Sequence, residues 1–334
     1  MNNLPDRTDE DPKAFDPAIQ SEKIAFAPGE LVSCDACSRQ NPPNRTHCLY
    51  CGKELEFRAE DLDDRKPVAR ALESWEAGFN VVFRSALSNC DVSAANVLLS
   101  ENSELAAIVR SGIPMPIARV ESLKLAEILA DKLKGVGIDC IVVGDADLDV
   151  ERPPVRLSKV AIAGGHFEFT DFNTHSTARI AFSDLTLIVT GQLNRTRTDL
   201  IEKRKRKGPE LLDETASFAD ETLLDLYTTN DIRGYRIFPS GFDFSCLGDK
   251  MSLLARENMD RLITYLSDSA PSVIVVTNYA AARRYLAPFW EIETRSDAQG
   301  IKRIGFGKLG FGKTESTSNL QQFTKYSRLQ RHLL

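Results

Sequence analysis

The sequence predicts a multidomain α+β protein, and three observations lead to this fold class. The chain has 334 residues, more than a single domain usually contains. Four cysteines fall in two close pairs within a short polar segment near the N-terminus. Beyond them, strands alternate with helices, and a region dominated by strands follows. We therefore expect a small metal-binding module, a small α/β unit, and a β-rich barrel or sandwich closed by a helix, with disordered termini.

The same patterns divide the chain into six segments. One end is acidic and the other is basic, and neither has sustained apolar periodicity, so we expect both ends to be disordered. The predicted segments are an acidic tail (1–30), a cysteine-containing module (31–55), a charged linker (56–76), a small α/β domain (77–150), a β-rich domain with C-terminal helices (151–298) and a basic flexible tail (299–334).

The cysteines form two C-x-x-C pairs, Cys34 with Cys37 and Cys48 with Cys51, separated by ten residues. Each C-x-x-C turn directs two thiolates at one ion, and two turns complete a tetrahedron of four sulfurs. The spacing predicts a structural Zn²⁺ with no open coordination position for a substrate. A pair of redox-active dithiols is the alternative interpretation. His47 precedes Cys48, and we expect it at the surface because four cysteines already fill the shell.

Residues 34–52 resemble the short zinc-ribbon family of bacterial proteins. The resemblance rests on the two cysteine pairs, the turn-forming Asn41 and Pro42 between them, and Gly52 after the last cysteine. It implies a ribbon that is stabilised by its zinc ion rather than by a large core. Ser38 departs from the family pattern, which often has glycine after the first pair, so we expect the first turn to be less favourable.

The α/β segment runs strand, two helices, strand, helix, strand. Its clearest helix begins after a candidate cap, Ser122, and carries apolar residues at helical spacing. Two prolines, Pro114 and Pro116, indicate that the second strand lies at a sheet edge. Residues 79–146 are similar to the C-terminal domain of the ribosomal stalk protein of the large subunit. The resemblance implies a role in protein contacts, but the lysines with which that family engages translation factors have no counterpart in residues 91–110.

The β-rich segment begins with two strands joined at Gly164 and Gly165, a two-residue hairpin signal. Several further strands follow, and an amphipathic helix with apolar residues on one face, from Ala255 to Leu266, closes the series. In this order of elements, residues 155–268 resemble pleckstrin-homology-like domains. The resemblance implies a small barrel or sandwich plugged by a helix.

A block of five basic residues interrupts this segment. Such blocks often contact phosphates, so these five residues are the candidate nucleic-acid-binding residues. A solvated loop between strands is the alternative, because no aromatic residue interleaves the block and acidic residues follow it. The block consists of Lys203, Arg204, Lys205, Arg206 and Lys207.

Residues 307–314, GKLGFGKT, match the Walker A pattern, with Lys313 and Thr314 in the phosphate- and magnesium-binding places. A P-loop requires a preceding buried strand and a following nucleotide-binding domain, and neither is predicted here. A flexible tail rich in glycine and basic residues is the alternative explanation of this sequence.

These observations favour a non-catalytic zinc-ribbon adaptor or regulator that binds a protein partner, and we identify no catalytic residue. A nucleic-acid- or ribosome-associated protein is the first alternative, and a nucleotide-dependent enzyme through residues 307–314 is the second. The net charge of −6 disfavours a protein that coats nucleic acid with its whole surface. Because no apolar run could span a bilayer and no secretory signal pattern is present, we expect a cytoplasmic location without a membrane span.

Overall fold

The chain divides into two compact units, one ending at Pro67 and the other beginning at Val68. The predicted acidic tail and most of the predicted linker lie outside the described residues. For residues 204, 205, 208 and 209, the backbone alone is described. The structure is a computed structural model that describes residues 31–42, 45, 47–55, 72–73, 75–99, 102–205, 208–231, 233–303 and 309–334.

The first unit contains a short antiparallel pair, β1 (Val32–Ser33) with β2 (Gln40–Asn41). Its hydrophobic cluster comprises two of the cysteines and Leu55, with a third cysteine packed against it. Burial on this scale cannot offset the conformational entropy of ordering the segment. The unit therefore needs a further source of stability.

The second unit begins with a three-stranded antiparallel sheet in the order β4-β3-β5. Two predictions are confirmed here. The Ser122 Oγ accepts a hydrogen bond from the Leu125 amide at 3.2 Å and caps α3, and Pro116 lies in the edge strand β4. The elements are β3 (Phe79–Ala86), α1 (Val92–Leu98), α2 (Leu105–Ser111), β4 (Met115–Val120), α3 (Leu123–Gly135) and β5 (Ile138–Gly144).

The rest of the unit is a nine-stranded sheet with three helices. The strand order is β13-β14-β9-β10-β11-β6-β7-β8, and β12 pairs in parallel with β9. The elements are β6 (Val155–Ala163), β7 (His166–Asp171), β8 (Thr177–Ala181), β9 (Leu185–Lys205), β10 (Gly208–Thr228), β11 (Tyr235–Ile237), α4 (Ala255–Ser269), β12 (Ile274–Val276), α5 (Tyr279–Leu286), β13 (Glu293–Arg303), β14 (Leu309–Ser318) and α6 (Leu320–His332).

Strands β9 and β10 are central and face a hydrophobic core on each side. On one side, Ile188 and Leu226 pack in a cluster with Met259 of α4, which is the predicted closing helix. On the other side, Leu187 shares a cluster with Phe323 of α6 and with the three-stranded sheet. The α+β class is confirmed. The predicted boundary between the α/β domain (77–150) and the β-rich domain (151–298) does not separate two hydrophobic cores, because one cluster contains residues from both segments.

The prediction of a flexible tail over residues 299–334 is wrong for the residues that the structure describes there. Strand β14 pairs with both β13 and β9. In α6, the side chains of Phe323, Tyr326 and Leu329 are fully buried. These three residues recur every three positions, as one face of a helix requires, but the intervening polar and basic residues obscured the pattern. Gly191 on β9 makes room for this helix, because a Cβ there would lie 2.5 Å from the Phe323 ring.

Candidate functional site

The four predicted ligands, Cys34, Cys37, Cys48 and Cys51, lie together and could hold a metal ion. Their Sγ atoms are all within 4.8 Å of one another. The Sγ atoms of Cys34 and Cys51 are 3.6 Å apart, and those of Cys37 and Cys48 are 3.5 Å apart. A tetrahedral zinc ion with Zn–S bonds of about 2.3 Å requires sulfurs about 3.8 Å apart. The donor set and its spacing therefore fit a tetrathiolate ion.

The two cysteine turns have the same backbone hydrogen bonds. In the first turn, the Ser38 amide donates to the Cys34 carbonyl at 2.7 Å. In the second, the Gly52 amide donates to the Cys48 carbonyl at 3.0 Å. Amides of the same two cysteines donate to the carbonyls of Arg39 at 3.0 Å and of Lys53 at 2.8 Å. The two C-x-x-C segments are thus structural equivalents that present their sulfurs to a common point.

Both turns require a left-handed backbone after the second cysteine. Gly52 adopts a φ of 72°, which glycine tolerates without a steric penalty. Ser38 holds the equivalent place with a φ of 57°. A side chain in this conformation costs roughly 1–2 kcal/mol, so the departure from the family pattern falls on a position where it destabilises the site.

Asn41 is a positioning residue for which the sequence predicted only a turn, not a contact with a cysteine sulfur. Its side chain is fully buried, and its Nδ2 donates to the Cys48 Sγ at 3.4 Å and to the Arg39 carbonyl at 2.9 Å. Its Oδ1 accepts a hydrogen bond from the Leu49 amide at 2.8 Å. In the sequence, an asparagine before two prolines indicated only a turn. The buried contacts depend on the folded arrangement of the two cysteine turns.

The Cys48 sulfur is surrounded by N–H donors. The Tyr50 amide donates to it at 3.4 Å, in addition to the Asn41 side chain. Burial opposes ionisation of this thiol, but the amides of Tyr50 and Cys51 and the side chain of Asn41 outweigh burial and lower its pKa to about 6. Cys48 therefore favours the thiolate, which is the form that binds a metal. At Cys37 a backbone hydrogen bond with Arg39 lowers the pKa, but burial and the three neighbouring thiols outweigh it and raise the pKa to about 12. His47 is half-buried and does not belong to the cysteine group.

The basic block lies at the end of the long hairpin formed by β9 and β10. Lys203, Arg204 and Lys205 are in β9 and pair with residues 208–210 of β10. Arg206 and Lys207 lie outside the described residues. The described part of the block is therefore in a sheet and not in an irregular loop, because β9 and β10 remain paired as far as Lys205 and Gly208.

A second basic segment meets the block. Strand β14 pairs with the other side of β9, and β13 pairs with β14, so that Lys302 and Arg303 at the end of β13 lie at the same end of the sheet. We call this four-stranded extension the arm. It consists of residues 195–205, 208–220, 293–303 and 309–318, and none of its described residues belongs to a hydrophobic core cluster. The arm joins two basic regions that are distant in the sequence.

The Walker A interpretation is wrong for the described residues 309–314. These residues form the extended strand β14, whereas a P-loop is a turn at the beginning of a helix. The Thr314 hydroxyl donates to Asp199, and the Lys313 ammonium pairs with Glu315. The glycines alternate with larger residues because Gly312 lies under the side chains of Gln299 and Lys302. Residues 307 and 308 lie outside the described part of the chain.

No protein-family model, curated protein or solved structure matches this chain. Among the described helices, none has the length and apolar character needed to cross a membrane.

Proposed function

We propose that the protein is a non-catalytic zinc-binding adaptor or regulator, in which residues 31–55 form a zinc ribbon that contacts a protein partner. The closed group of four cysteine sulfurs is the observation that carries this proposal. Four thiolates fill a tetrahedral shell, so a bound zinc ion would have no position for a substrate. The ion would instead supply the stability that the small core of this unit lacks.

The second cysteine turn supports a contact role. Leu49 and Tyr50 lie between Cys48 and Cys51, and both side chains are exposed. The Arg39 guanidinium lies over the Tyr50 ring, 4.6 Å from its centroid. Tyrosine and arginine are enriched among the residues that contribute most to protein interfaces. A turn fixed by the metal would present them with little loss of conformational entropy on binding.

The test combines metal analysis with affinity capture. The tagged full-length protein should contain one zinc ion per chain, and it should retain a discrete protein partner from lysate after nuclease treatment. The double variant Leu49→Ser/Tyr50→Ser should lose that partner while it keeps its zinc. Leu87→Ser, which alters an exposed leucine of the second unit, is the matched control and should keep both. A zinc-free protein, or equal capture by all variants, would contradict the proposal.

Nucleic-acid binding is a second candidate function, and one observation favours it. The block at Lys203–Lys205 and the basic end of β13 lie on neighbouring hairpins at one end of the arm. Concentrated positive charge of this kind neutralises phosphates and releases counterions. Changing the three block residues to glutamine should weaken binding and reduce its salt dependence. Binding that is unchanged in this triple variant would remove the block from consideration.

A further inference from the structure

We propose that the arm binds single-stranded nucleic acid on one sheet face, with a base stacked on Phe311 and with phosphates on the adjacent basic residues. This inference rests on the second candidate function and specifies its ligand. It does not depend on the zinc ribbon.

The face is defined by the register of four strands. Phe311 of β14 is opposite Ile301 of β13 and opposite Glu202 of β9, which is in turn opposite Leu211 of β10. Residues opposite one another in neighbouring strands project from the same face of a sheet. The row therefore carries three large apolar side chains on one face.

These apolar side chains are open to solvent. Ile301 is 67% exposed, Phe311 is 55% exposed and Leu211 is 51% exposed. Leu309, two residues before Phe311 and thus on the same face, is also exposed. Single exposed apolar residues are ordinary, but a contiguous group of them marks a binding surface. Strands about 4.8 Å apart make the row about 14 Å wide, which is comparable to the four-stranded sheets on which two or three bases stack.

The charges around the row favour a polyanion over an apolar protein surface. Arg303 is opposite Leu309, is exposed, and lies two residues from Ile301 on the same face. The described block residues, Lys203, Arg204 and Lys205, end the neighbouring strand β9. Acidic residues are concentrated on the β10 side, where Asp213 and Glu214 are exposed, and Glu202 is in the row itself. These charges confine phosphates to the β13–β14 side of the arm, which is where Phe311, Leu309 and Arg303 lie together.

The aromatic ring selects for a single strand. A base can stack on an exposed ring only when its own face is free, and the faces of bases in a duplex are covered by their neighbours. Basic residues at the arm's end, by contrast, attract the phosphates of either form. Loss of the ring should therefore weaken the binding of single strands alone, whereas loss of the basic residues should weaken the binding of both forms.

The test measures the binding of a fluorescent oligouridine 12-mer and of a duplex RNA of equal length to the full chain by anisotropy, at about 50 and 200 mM salt. Phe311→Leu keeps an apolar residue in the strand and should weaken single-strand binding about five- to a hundredfold, the value of one stacked base. It should leave duplex binding unchanged. Phe218→Leu is the matched control and should change neither affinity, because Phe218 is an exposed phenylalanine of the same arm that lies on the acidic β10 side, away from the proposed path of the phosphates.

The outcomes distinguish the two levels of the proposal. If Phe311→Leu has no effect on single-strand binding while the triple glutamine variant of the block weakens it, the stacking face is refuted and nucleic-acid binding survives. If neither RNA binds at low salt, the second candidate function fails together with this inference. Size-exclusion chromatography of the wild type and Phe311→Leu checks the remaining case. A change of oligomeric state in the variant would mean that a second copy of the chain covers the face, and this result would also overturn the inference.

Discussion

A single exchange between serine and glycine tests how the two cysteine turns contribute to metal binding. Ser38 and Gly52 occupy equivalent left-handed positions, with φ angles of 57° and 72°. Ser38→Gly should relieve about 1–2 kcal/mol of backbone strain, less roughly 0.5–1 kcal/mol for the greater freedom of glycine in the unfolded chain. At the midpoints of these ranges, about 1.5 and 0.75 kcal/mol, the net gain is about 0.75 kcal/mol. Because folding of the ribbon and metal binding are coupled, it should appear as an affinity increase of about two- to fivefold.

The reverse change, Gly52→Ser, is the internal control. A Cβ at Gly52 would meet no atom within 4 Å, so the substitution adds backbone strain without a steric clash. It should lower zinc affinity by a similar factor, and the double exchange Ser38→Gly/Gly52→Ser should return close to wild type.

Affinity would be measured by competition with a chromogenic chelator at pH 7 under reducing conditions. An unchanged or weaker affinity in Ser38→Gly would refute the argument that this turn is strained. A higher zinc affinity in Ser38→Gly, a lower one in Gly52→Ser and a nearly unchanged one in the double variant would establish that the backbone conformation at these positions limits the stability of the site.

Three further substitutions test contacts in the ribbon and in the sheet. Asn41→Ala removes an N–H donor to the sulfur of Cys48, a proposed zinc ligand, and should reduce zinc affinity about ten- to a hundredfold in the same competition assay. Gly191→Ala forces a Cβ against the Phe323 ring and should lower the free energy of unfolding by about 1–3 kcal/mol in urea. Asp225→Ala leaves the buried Arg236 guanidinium without its bidentate partner and should cost about 3–5 kcal/mol in the same measurement.

Each of the sheet variants has a counterpart elsewhere in the second unit. Gly135→Ala adds a Cβ in the last turn of α3 with no atom within 4 Å, so it should be neutral or stabilising, unlike Gly191→Ala. Glu168→Ala breaks the largely exposed ion pair with Arg179 and should cost at most about 1 kcal/mol. Equal effects for a variant and its counterpart would mean that burial and close approach do not determine these energies.

The features that the sequence predicted correctly depend on local chemistry. Cysteine pairs three residues apart direct their own sulfurs, a serine before an apolar helix caps it, and the glycine pair at 164–165 closes the hairpin of β6 and β7. Each of these requires only a few neighbouring residues. Sequence spacing was therefore sufficient to identify them.

The arm and α6 could not be predicted in this way because they depend on long-range pairing. Nothing near Phe311 indicates that it will be opposite Glu202, since that pairing joins two hairpins distant in the sequence. Within the motif, Gly310 and Gly312 alternate with Leu309 and Phe311, a period of two that is typical of a strand, whereas the spacing of the whole motif indicated a phosphate-binding loop. In α6, the side chains of Phe323 and Tyr326 become a core face only when the helix packs on β9, where Gly191 leaves room for the Phe323 ring.

Removal of the metal should separate the energetics of the two units. The second unit has two hydrophobic cores of its own, so we expect its stability not to depend on the ion. A structural zinc contributes about 10–16 kcal/mol of binding free energy to a small domain, and that contribution should be confined to the ribbon. Both tryptophans of the chain, Trp75 and Trp290, lie in the second unit. Trp290 is buried and donates to the Asn80 Oδ1 at 3.0 Å, so its fluorescence reports the fold of that unit alone.

Thermal unfolding would be followed by tryptophan fluorescence with and without a strong chelator, and limited proteolysis would follow residues 31–55 in the same samples. We expect an unchanged fluorescence transition together with rapid cleavage in the ribbon after chelation. A lowered transition would mean that the ion stabilises both units, and the ribbon would then be an integral part of the fold rather than a separately stabilised contact module. Protection of residues 31–55 without metal would instead remove the physical reason for the four-cysteine cluster, because the small core would have proved sufficient.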